Sequence, residues 1–182
     1  RQDPDIVMLG EIRDEETAQI AMRAAITGHL VLSTLHTNDA PTTVNRLIDM
    51  GGEPYIVASS ITGVIAQRLV KRICQQCKES YEASPMEKSY LNLPTEQSLI
   101  LHRGAGCGHC QYTGYTGRIG IYEIMEITKD HRIAITQNKD ATFLREISLQ
   151  NGMTELSTEC RKLVLQGVTT IEEMIDIAGL NH

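Results

Sequence analysis

Residues 5–14 read DIVMLGEIRD, and this stretch decides the fold. Its first five residues form an apolar run that is too short for a helix, and charged residues follow it, beginning with Glu11. This order predicts a buried strand that delivers charged side chains at its carboxyl end. Charges at that end of a strand usually face a ligand in α/β proteins.

A helix and a second strand are predicted directly after this stretch. Asp14 suits an N-cap, acidic residues follow it, apolar residues recur at helical spacing, and a glycine suits the end. Residues 29–35 are again rich in β-forming residues, so the pattern predicts strand, crossover helix and parallel strand. Glu11, Arg13 and His36 are therefore expected at one edge of a parallel sheet, where such sheets bind ligands.

Composition and charge restrict the classes of partner. The 182-residue chain has a formal net charge of −6 and contains no Trp. An acidic balance with few aromatic residues argues against phosphate-backbone binding and base stacking, so nucleic acid is not an expected partner. No apolar run approaches the roughly 20 residues that cross a bilayer, so a soluble chain is expected. Arg1 lies just before a predicted buried strand, which favours a piece of a longer protein.

The phosphate-binding loop of P-loop nucleotidases is missing from the sequence. No G-x-x-x-x-G-K-[ST] motif occurs, and the glycine-rich residues 114–118 lack the required Lys and the following helix. The backbone amides and the Lys that would hold the β- and γ-phosphates of a nucleotide are therefore not expected within this chain.

Two further helix starts are predicted at Asp39-Ala40-Pro41 and at Pro54. The second of these helices is expected to include residues 56–65 and to run into a cationic segment, residues 67–72. Two interpretations of this segment remain: it forms a solvated face, or it contacts nucleotide or a neighbouring subunit.

Two C-x-x-C pairs indicate a structural metal site. Each pair forms a knuckle in which two thiolates face one tetrahedral ion, and four thiolates leave no open position for catalysis. Two disulfides or a redox dithiol are the competing readings, but a reducing cytoplasm disfavours disulfides and a redox dithiol needs no second pair. Zinc is the favoured interpretation, with His109 as a neighbour and with four ligands: Cys74, Cys77, Cys107 and Cys110.

The other histidines and the fifth cysteine receive no chemical role. His102, His131 and His182 stand alone among polar residues, and Cys160 lies in a helical stretch where a small buried hydrophobe is expected.

The last third of the chain is predicted to be helical. Ser84–Glu87 forms a capping box before it, and residues 118–127 predict a buried strand. Four short helices then follow, with N-caps at Thr128, Asp140, Thr154 and Thr169.

Residues 1–14 and 27–38, RQDPDIVMLGEIRD and TGHLVLSTLHTN, closely resemble the secretion ATPase family that powers type II secretion and type IV pilus assembly. Residues 66–69, AQRL, and 117–123, GRIGIYE, extend the resemblance nearly to the C-terminus. It implies an α/β fold: the C-terminal part of a RecA-like ATPase core (residues 1–73), a four-cysteine zinc-binding insertion with a returning strand (74–127) and a helical C-terminal subdomain (128–182).

The resemblance also implies roles for individual residues. Glu11 ends a Walker B strand, in which the carboxylate polarises the attacking water. His36 and His29 match the family's histidine box, which senses the γ-phosphate region. Gly10 stands where many nucleotide hydrolases carry a second carboxylate for the metal, a departure that the family shares.

Two arginines are cofactor-binding candidates. Arg13 is expected either to bind phosphate or to pair with Asp14 or Glu15. Arg68 lies in the segment that matches the family and is the candidate for contact with nucleotide or a neighbouring subunit.

The implied function is ATP hydrolysis coupled to movement of pilin-like subunits, with ATP, Mg²⁺ and Zn²⁺ as cofactors. The full-length protein is expected to form a homo-hexamer on the cytoplasmic side of the inner membrane and to contact platform proteins there, while this fragment alone is expected to be inactive. Alternatives are a non-catalytic zinc-ribbon module that binds protein, and a recombinase-like or retraction-type relative. The four-cysteine insertion favours assembly or secretion over retraction.

Overall fold

The computed structural model describes residues 4–179. His182, to which the sequence assigned no role, lies outside the described residues. The chain divides into two compact units: unit 1 comprises residues up to Ala66 with Glu123–Met153, and unit 2 comprises Gln67–Tyr122 with the residues from Thr154 onward.

Six strands and eight α-helices follow one another in the described residues, with a short 3₁₀ turn at Gly108–Cys110. In chain order they are β1 (Ile6–Met8), α1 (Glu15–Ile26), β2 (Leu30–Leu32), α2 (Ala40–Asp49), α3 (Pro54–Ser60), β3 (Gly63–Ile73), β4 (Lys78–Glu82), α4 (Pro85–Tyr90), β5 (Ile100–Gly104), β6 (Tyr115–Glu126), α5 (Lys129–Thr136), α6 (Ala141–Gln150), α7 (Leu156–Leu165) and α8 (Ile171–Ile177). Within residues 4–179, no helix is long and apolar enough to cross a bilayer.

The predicted crossover is confirmed in unit 1. β1 and β2 pair in parallel through α1, whose N-cap Asp14 accepts a hydrogen bond from Thr17 N. The predicted burial of the first strand is wrong: the side chains of Ile6 and Met8 are 59% and 78% exposed. The reason is that the described sheet has only two strands, and only the face of the sheet that carries Val31 packs against the core.

Helices from two separate parts of the sequence build the core of unit 1. Buried residues of α1, α2 and α3 pack with Ile135 of α5 and Leu144 of α6. The predicted helical subdomain, residues 128–182, therefore does not form one group, because α5 and α6 belong to unit 1 and α7 and α8 to unit 2.

The helix predicted from Pro54 is shorter than expected. α3 ends at Ser60, and the residues from Gly63 to Ile73 form β3, which pairs with β6. Side chains along β3 alternate between exposed and more buried positions, as at Ile65 and Val64. This period of two and the pairing with a distant strand override the local helical spacing.

In unit 2, β4 and β5 form an antiparallel pair with α4 between them in sequence. The capping box at Ser84 and Glu87 is confirmed. Cys160 is fully buried, in agreement with its expected role as a small hydrophobe. The N-caps of α7 and α8 are Glu155 and Thr170, each one residue later than predicted.

His131 differs from its expected place among polar residues, because the structure buries it completely in unit 1. Its Nε2 lies 2.8 Å from Ser148 Oγ, and that hydroxyl donates to Leu144 O. Nε2 therefore donates its hydrogen to Ser148, while Nδ1 accepts from Thr128. The contacts fit a neutral imidazole.

We expect His131 to make the stability of the chain depend on pH. Burial lowers its pKa, so the unfolded chain binds more protons than the folded chain between the ordinary His value of about 6.5 and the lower folded value. Stability is then present above pH 6.5 and is lost as pH falls through that window, by about 1.4 kcal/mol for each unit of pKa shift.

Urea unfolding of the wild type and of His131→Gln at pH near 7.5 and near 5.5 measures this effect, because Gln does not titrate. The wild type should lose more stability than the variant on acidification. Equal losses in the two proteins would contradict the assignment.

Candidate functional site

Glu11 and His36 come together at the carboxyl edge of the parallel sheet, as the topology predicts. His36 Nε2 lies 2.7 Å from Glu11 Oε1, with the His36 side chain 91% exposed and that of Glu11 20% exposed. Although the contact is close, it lacks hydrogen-bond alignment, and Oε1 is buried without a hydrogen-bond partner in the described part of the chain. A buried carboxylate oxygen of this kind can accept a water or a cation.

Arg13 pairs with neither of its predicted acidic partners. Its Nε donates to Glu11 Oε2 at 2.6 Å. Asp14 instead caps α1, and Glu15 accepts a hydrogen bond from the Gln19 side chain at 2.9 Å. The Glu11 carboxylate is therefore flanked by a guanidinium on one oxygen and by an imidazole on the other.

His29 lies at the opposite end of the sheet from Glu11. It immediately precedes β2, next to Leu30, whose N–H donates to Asp5 O. Its Nδ1 is 3.1 Å from Ala24 O and 3.2 Å from Thr27 Oγ1, which are contacts with the end of α1. The structure does not bring the two histidines of the predicted box together.

Arg68 lies half-buried on β3, in unit 2, and its contact with a nucleotide or another subunit stays a prediction. The neighbouring Lys71 has a structural partner, because its Nζ is 3.0 Å from Glu173 Oε1 and its main-chain N–H donates to the same carboxylate. The hydrogen bond and charge of Glu173 raise the pKa of Lys71. The cationic segment is thus only partly a free surface.

Two acidic side chains anchor the start of α2, just after His36: Asp39, which was predicted at this helix start, and Glu123, to which the sequence assigned no role. The Glu123 side chain is buried, and its Oε1 accepts from Ala40 N at 2.8 Å. Asp39 caps the helix and pairs with Arg145 at 2.7 Å. Burial raises the pKa of Asp39, but the Thr42 and Arg145 hydrogen bonds outweigh it and hold the pKa low.

One sequence signal could have identified Glu123. It occupies an inward position of β6 between Ile121 and Met125, where strand alternation places an acid in an apolar row. A buried acid at a helix N-terminus is favoured by the helix dipole.

The four predicted metal ligands form one cluster. Their sulfur atoms all lie within 4.8 Å of one another, and the cysteines are free thiols. Zn–S bonds of about 2.3 Å in tetrahedral geometry place sulfurs about 3.8 Å apart. Three pairs are at 3.8, 3.8 and 4.0 Å: Cys77 with Cys110, Cys107 with Cys110, and Cys74 with Cys107. The residues therefore fit a zinc ion.

Backbone N–H groups point at these sulfurs. Gly106 N donates to Cys77 Sγ, and Cys107 N and Gly114 N donate to Cys110 Sγ. Burial raises the pKa of Cys110, but these two donors together with the side chains of Cys107 and Cys77 outweigh it and lower the pKa to about 6. Burial raises the pKa of Cys77 to about 12, so metal binding must displace a proton there.

The fold and the site define an α/β protein with a carboxylate and an imidazole at the carboxyl edge of a parallel sheet and with a separate four-thiolate module. The model of the family described as "Type II/IV secretion system protein" matches residues 1–176, and the chain belongs to this family.

Curated relatives carry related names. The chain is 46% identical to "Type II secretion system protein E" of Pseudomonas aeruginosa, with 97% of the chain and 35% of the relative covered. It is also 46% identical to "Type IV pilus assembly ATPase PilB" of Thermus thermophilus, with 96% of the chain and 20% of the relative covered. The chain thus spans about a third or less of the length of these relatives.

A solved structure shows a similar fold. The ATPase DotB of Legionella pneumophila superposes with a TM-score of 0.65 at 21% identity, covering 98% of this chain and 40% of that one. At this identity the likeness concerns the fold alone.

Proposed function

We propose that the chain is the C-terminal part of an ATP-hydrolysing motor that powers type IV pilus assembly or type II protein secretion. In this proposal, residues 1–73 end its RecA-like core, and residues 74–127 are a four-cysteine zinc-binding insertion with a returning strand. The family and the names of the relatives support this proposal. The observation that carries it is the buried Glu11 Oε1, without a hydrogen-bond partner in the described residues, at the sheet edge where α/β proteins bind ligands.

In this proposal, Glu11 polarises the water that attacks the γ-phosphate. His36, 2.7 Å away and exposed, senses the γ-phosphate region. Arg13 holds one Glu11 oxygen and presents its remaining guanidinium N–H groups to the nucleotide. His29 is assigned to the same γ-phosphate-sensing box, but it lies at the end of α1 and not beside Glu11.

Mg²⁺ bound with ATP would neutralise charge that develops on the phosphates. Glu11 Oε1 is the acceptor that this chain offers toward the ion or its waters, since Gly10 supplies no second carboxylate. Arg68 is assigned to contact with nucleotide or with a neighbouring subunit of a homo-hexamer. The motor would work in the cytoplasm against platform proteins of the inner membrane.

The four cysteines hold a structural Zn²⁺ in this proposal. Four thiolates close the coordination sphere, so the ion stabilises the fold and takes no part in hydrolysis.

A non-catalytic zinc module that binds protein is the second candidate function. The observation that favours it is the lack of a G-x-x-x-x-G-K-[ST] motif within the 182 residues.

Comparing the full-length protein with the isolated chain tests the proposal. We expect the full-length protein to hydrolyse ATP and the isolated chain to show negligible turnover, because positioning of the phosphates supplies most of the catalysis in phosphoryl transfer. Phosphate release by both samples measures this, with Glu11→Gln of each as the control for contaminating ATPases. A full-length protein that neither binds nor hydrolyses ATP would favour the zinc module. Steady turnover by the isolated chain that Glu11→Gln abolishes would contradict the inactive fragment.

A further inference from the structure

The backbone that continues β1 as far as Ile12 contains one more residue than the backbone that continues β2 as far as Thr34. Leu9 N donates to Leu32 O at 2.9 Å, and Ile12 N donates to Thr34 O at 2.9 Å. Between these two hydrogen bonds the first strand advances by three residues and the second by two, whereas a regular parallel ladder advances both strands equally. The extra residue is a β-bulge at Gly10–Glu11, a feature that re-aims side chains next to active sites.

Thr34 holds this bulge from two sides. Its main-chain oxygen accepts from Ile12 N after the bulge, and its Oγ1 donates to Gly10 O within the bulge at 2.7 Å. Gly10 has no side chain, and even a Cβ at this position would meet no atom within 4 Å. Local side-chain packing thus does little to fix the backbone before Glu11, and the two Thr34 contacts restrain it.

We propose that Thr34 is a positioning residue, which clamps the bulge and so aims the Glu11 carboxylate for hydrolysis. The inference rests on the proposed function, because it requires Glu11 to act on the attacking water. Thr34 touches the backbone on either side of Glu11 and acts only through it. Loss of the hydroxyl lets the Gly10 peptide turn to water, and Glu11 then spends less time in the productive orientation.

Single-turnover ATP hydrolysis and nucleotide affinity of the full-length protein test this role. Thr34→Val keeps the shape and removes the donor, and we expect about a tenfold slower hydrolysis step, which corresponds to about 1.4 kcal/mol. Affinity for ATP should stay within about twofold, because the hydroxyl acts in the transition state through Glu11. Thr34→Ser restores the donor and should hydrolyse ATP within about twofold of the wild type.

Two controls separate positioning from a general loss of structure. Thr136→Val makes the same change at an exposed hydroxyl that donates to Arg132 O on α5, and it should leave hydrolysis unchanged. Adding Thr34→Val to Glu11→Gln should cause no further loss, because a residue that acts only through Glu11 has nothing left to position. Thr34→Ala serves as a second donor-free variant if Thr34→Val does not fold.

The outcomes distinguish this inference from the proposed function. If Glu11→Gln stops hydrolysis while Thr34→Val and Thr34→Ala match the wild type, the positioning role is overturned and the proposed function stands. If Glu11→Gln hydrolyses ATP normally, the catalytic assignment of Glu11 and the positioning role of Thr34 both fall. A serine variant as slow as the valine variant, or an additive loss in the double variant, also overturns the role of the hydroxyl.

Discussion

Glu11→Gln in the full-length protein is expected to slow the hydrolysis step by about 10²- to 10⁴-fold, the range over which positioned acid–base groups act. Gln matches Glu in size and can still hydrogen-bond a water, but it carries no charge to polarise that water. ATP affinity should change by only a few-fold, because the loss falls on the chemical step. Equilibrium nucleotide binding and single-turnover hydrolysis measure the two effects separately.

The loss of hydrolysis in Glu11→Gln is compared with that in two further variants. Glu16→Gln removes an exposed acid from the first turn of α1, and hydrolysis should be unaffected. His36→Ala should be milder than Glu11→Gln, because an exposed imidazole near the γ-phosphate acts alongside other donors. Near-normal hydrolysis by the Glu11→Gln protein would remove the catalytic assignment of Glu11.

The crossover between β1 and β2 was predictable because local signals agree along its whole length. Asp14 is an N-cap by residue type and accepts the expected hydrogen bond from Thr17 N. Gly28 adopts φ = 104°, a left-handed conformation that favours glycine at a helix end. Once strand, helix and strand are placed, parallel pairing puts Glu11 and His36 at one edge, as their 2.7 Å contact requires.

The bulge that sets the orientation of Glu11 could not be predicted in this way. Strand register depends on which residue of the partner strand each N–H meets, and the donation from Thr34 Oγ1 to Gly10 O joins residues far apart in the sequence. β2, Leu30–Leu32, lies between His29 and His36 in the sequence, so the two histidines lie at its opposite ends. The sequence matches a histidine box as a string, whereas the fold places its two histidines at different ends of the sheet.

Non-local pairing also explains the errors in the second half of the chain. Residues 63–73 contain apolar positions that fit both the helical period and the strand period. Pairing with β6 stabilises the strand. The helices α5 to α8 are similar short amphipathic segments, so their sequences do not reveal that Ile135 and Leu144 join the core of unit 1. Cysteine spacing was more informative, because four thiolates around one ion leave few arrangements.

Loss of zinc is expected to unfold much of unit 2. Apparent binding energies of about 10 to 16 kcal/mol are typical of structural zinc in small modules, and a domain has a net stability of only about 5 to 15 kcal/mol. We expect about one zinc per purified chain. Cys77→Ser or Cys110→Ser should abolish zinc retention, because each leaves three thiolates for a tetrahedral ion.

Elemental analysis and hydrogen exchange measure these changes in the isolated chain. Cys160→Ala is the matched control, since Cys160 is buried outside the cluster, and it should keep its zinc with at most a modest loss of stability. Purification under reducing conditions that yields no metal, or mass spectrometry that finds two intact disulfides, would contradict the zinc assignment.

The hydrogen-exchange pattern distinguishes a structural ion from a weakly bound one. The zinc cluster stands at the start of β4, with Cys77 O accepting from Ala105 N just after β5, so its loss releases the end of this strand pair. Amides of β4 and β5 should therefore exchange faster in Cys110→Ser than in Cys160→Ala. Amides of α1 should stay protected in both proteins, because the core around Met22 and Val44 belongs to unit 1 and contains no cysteine. Equal protection of β4 and β5 in the two variants would mean that the four thiolates can bind a metal on which the fold does not depend.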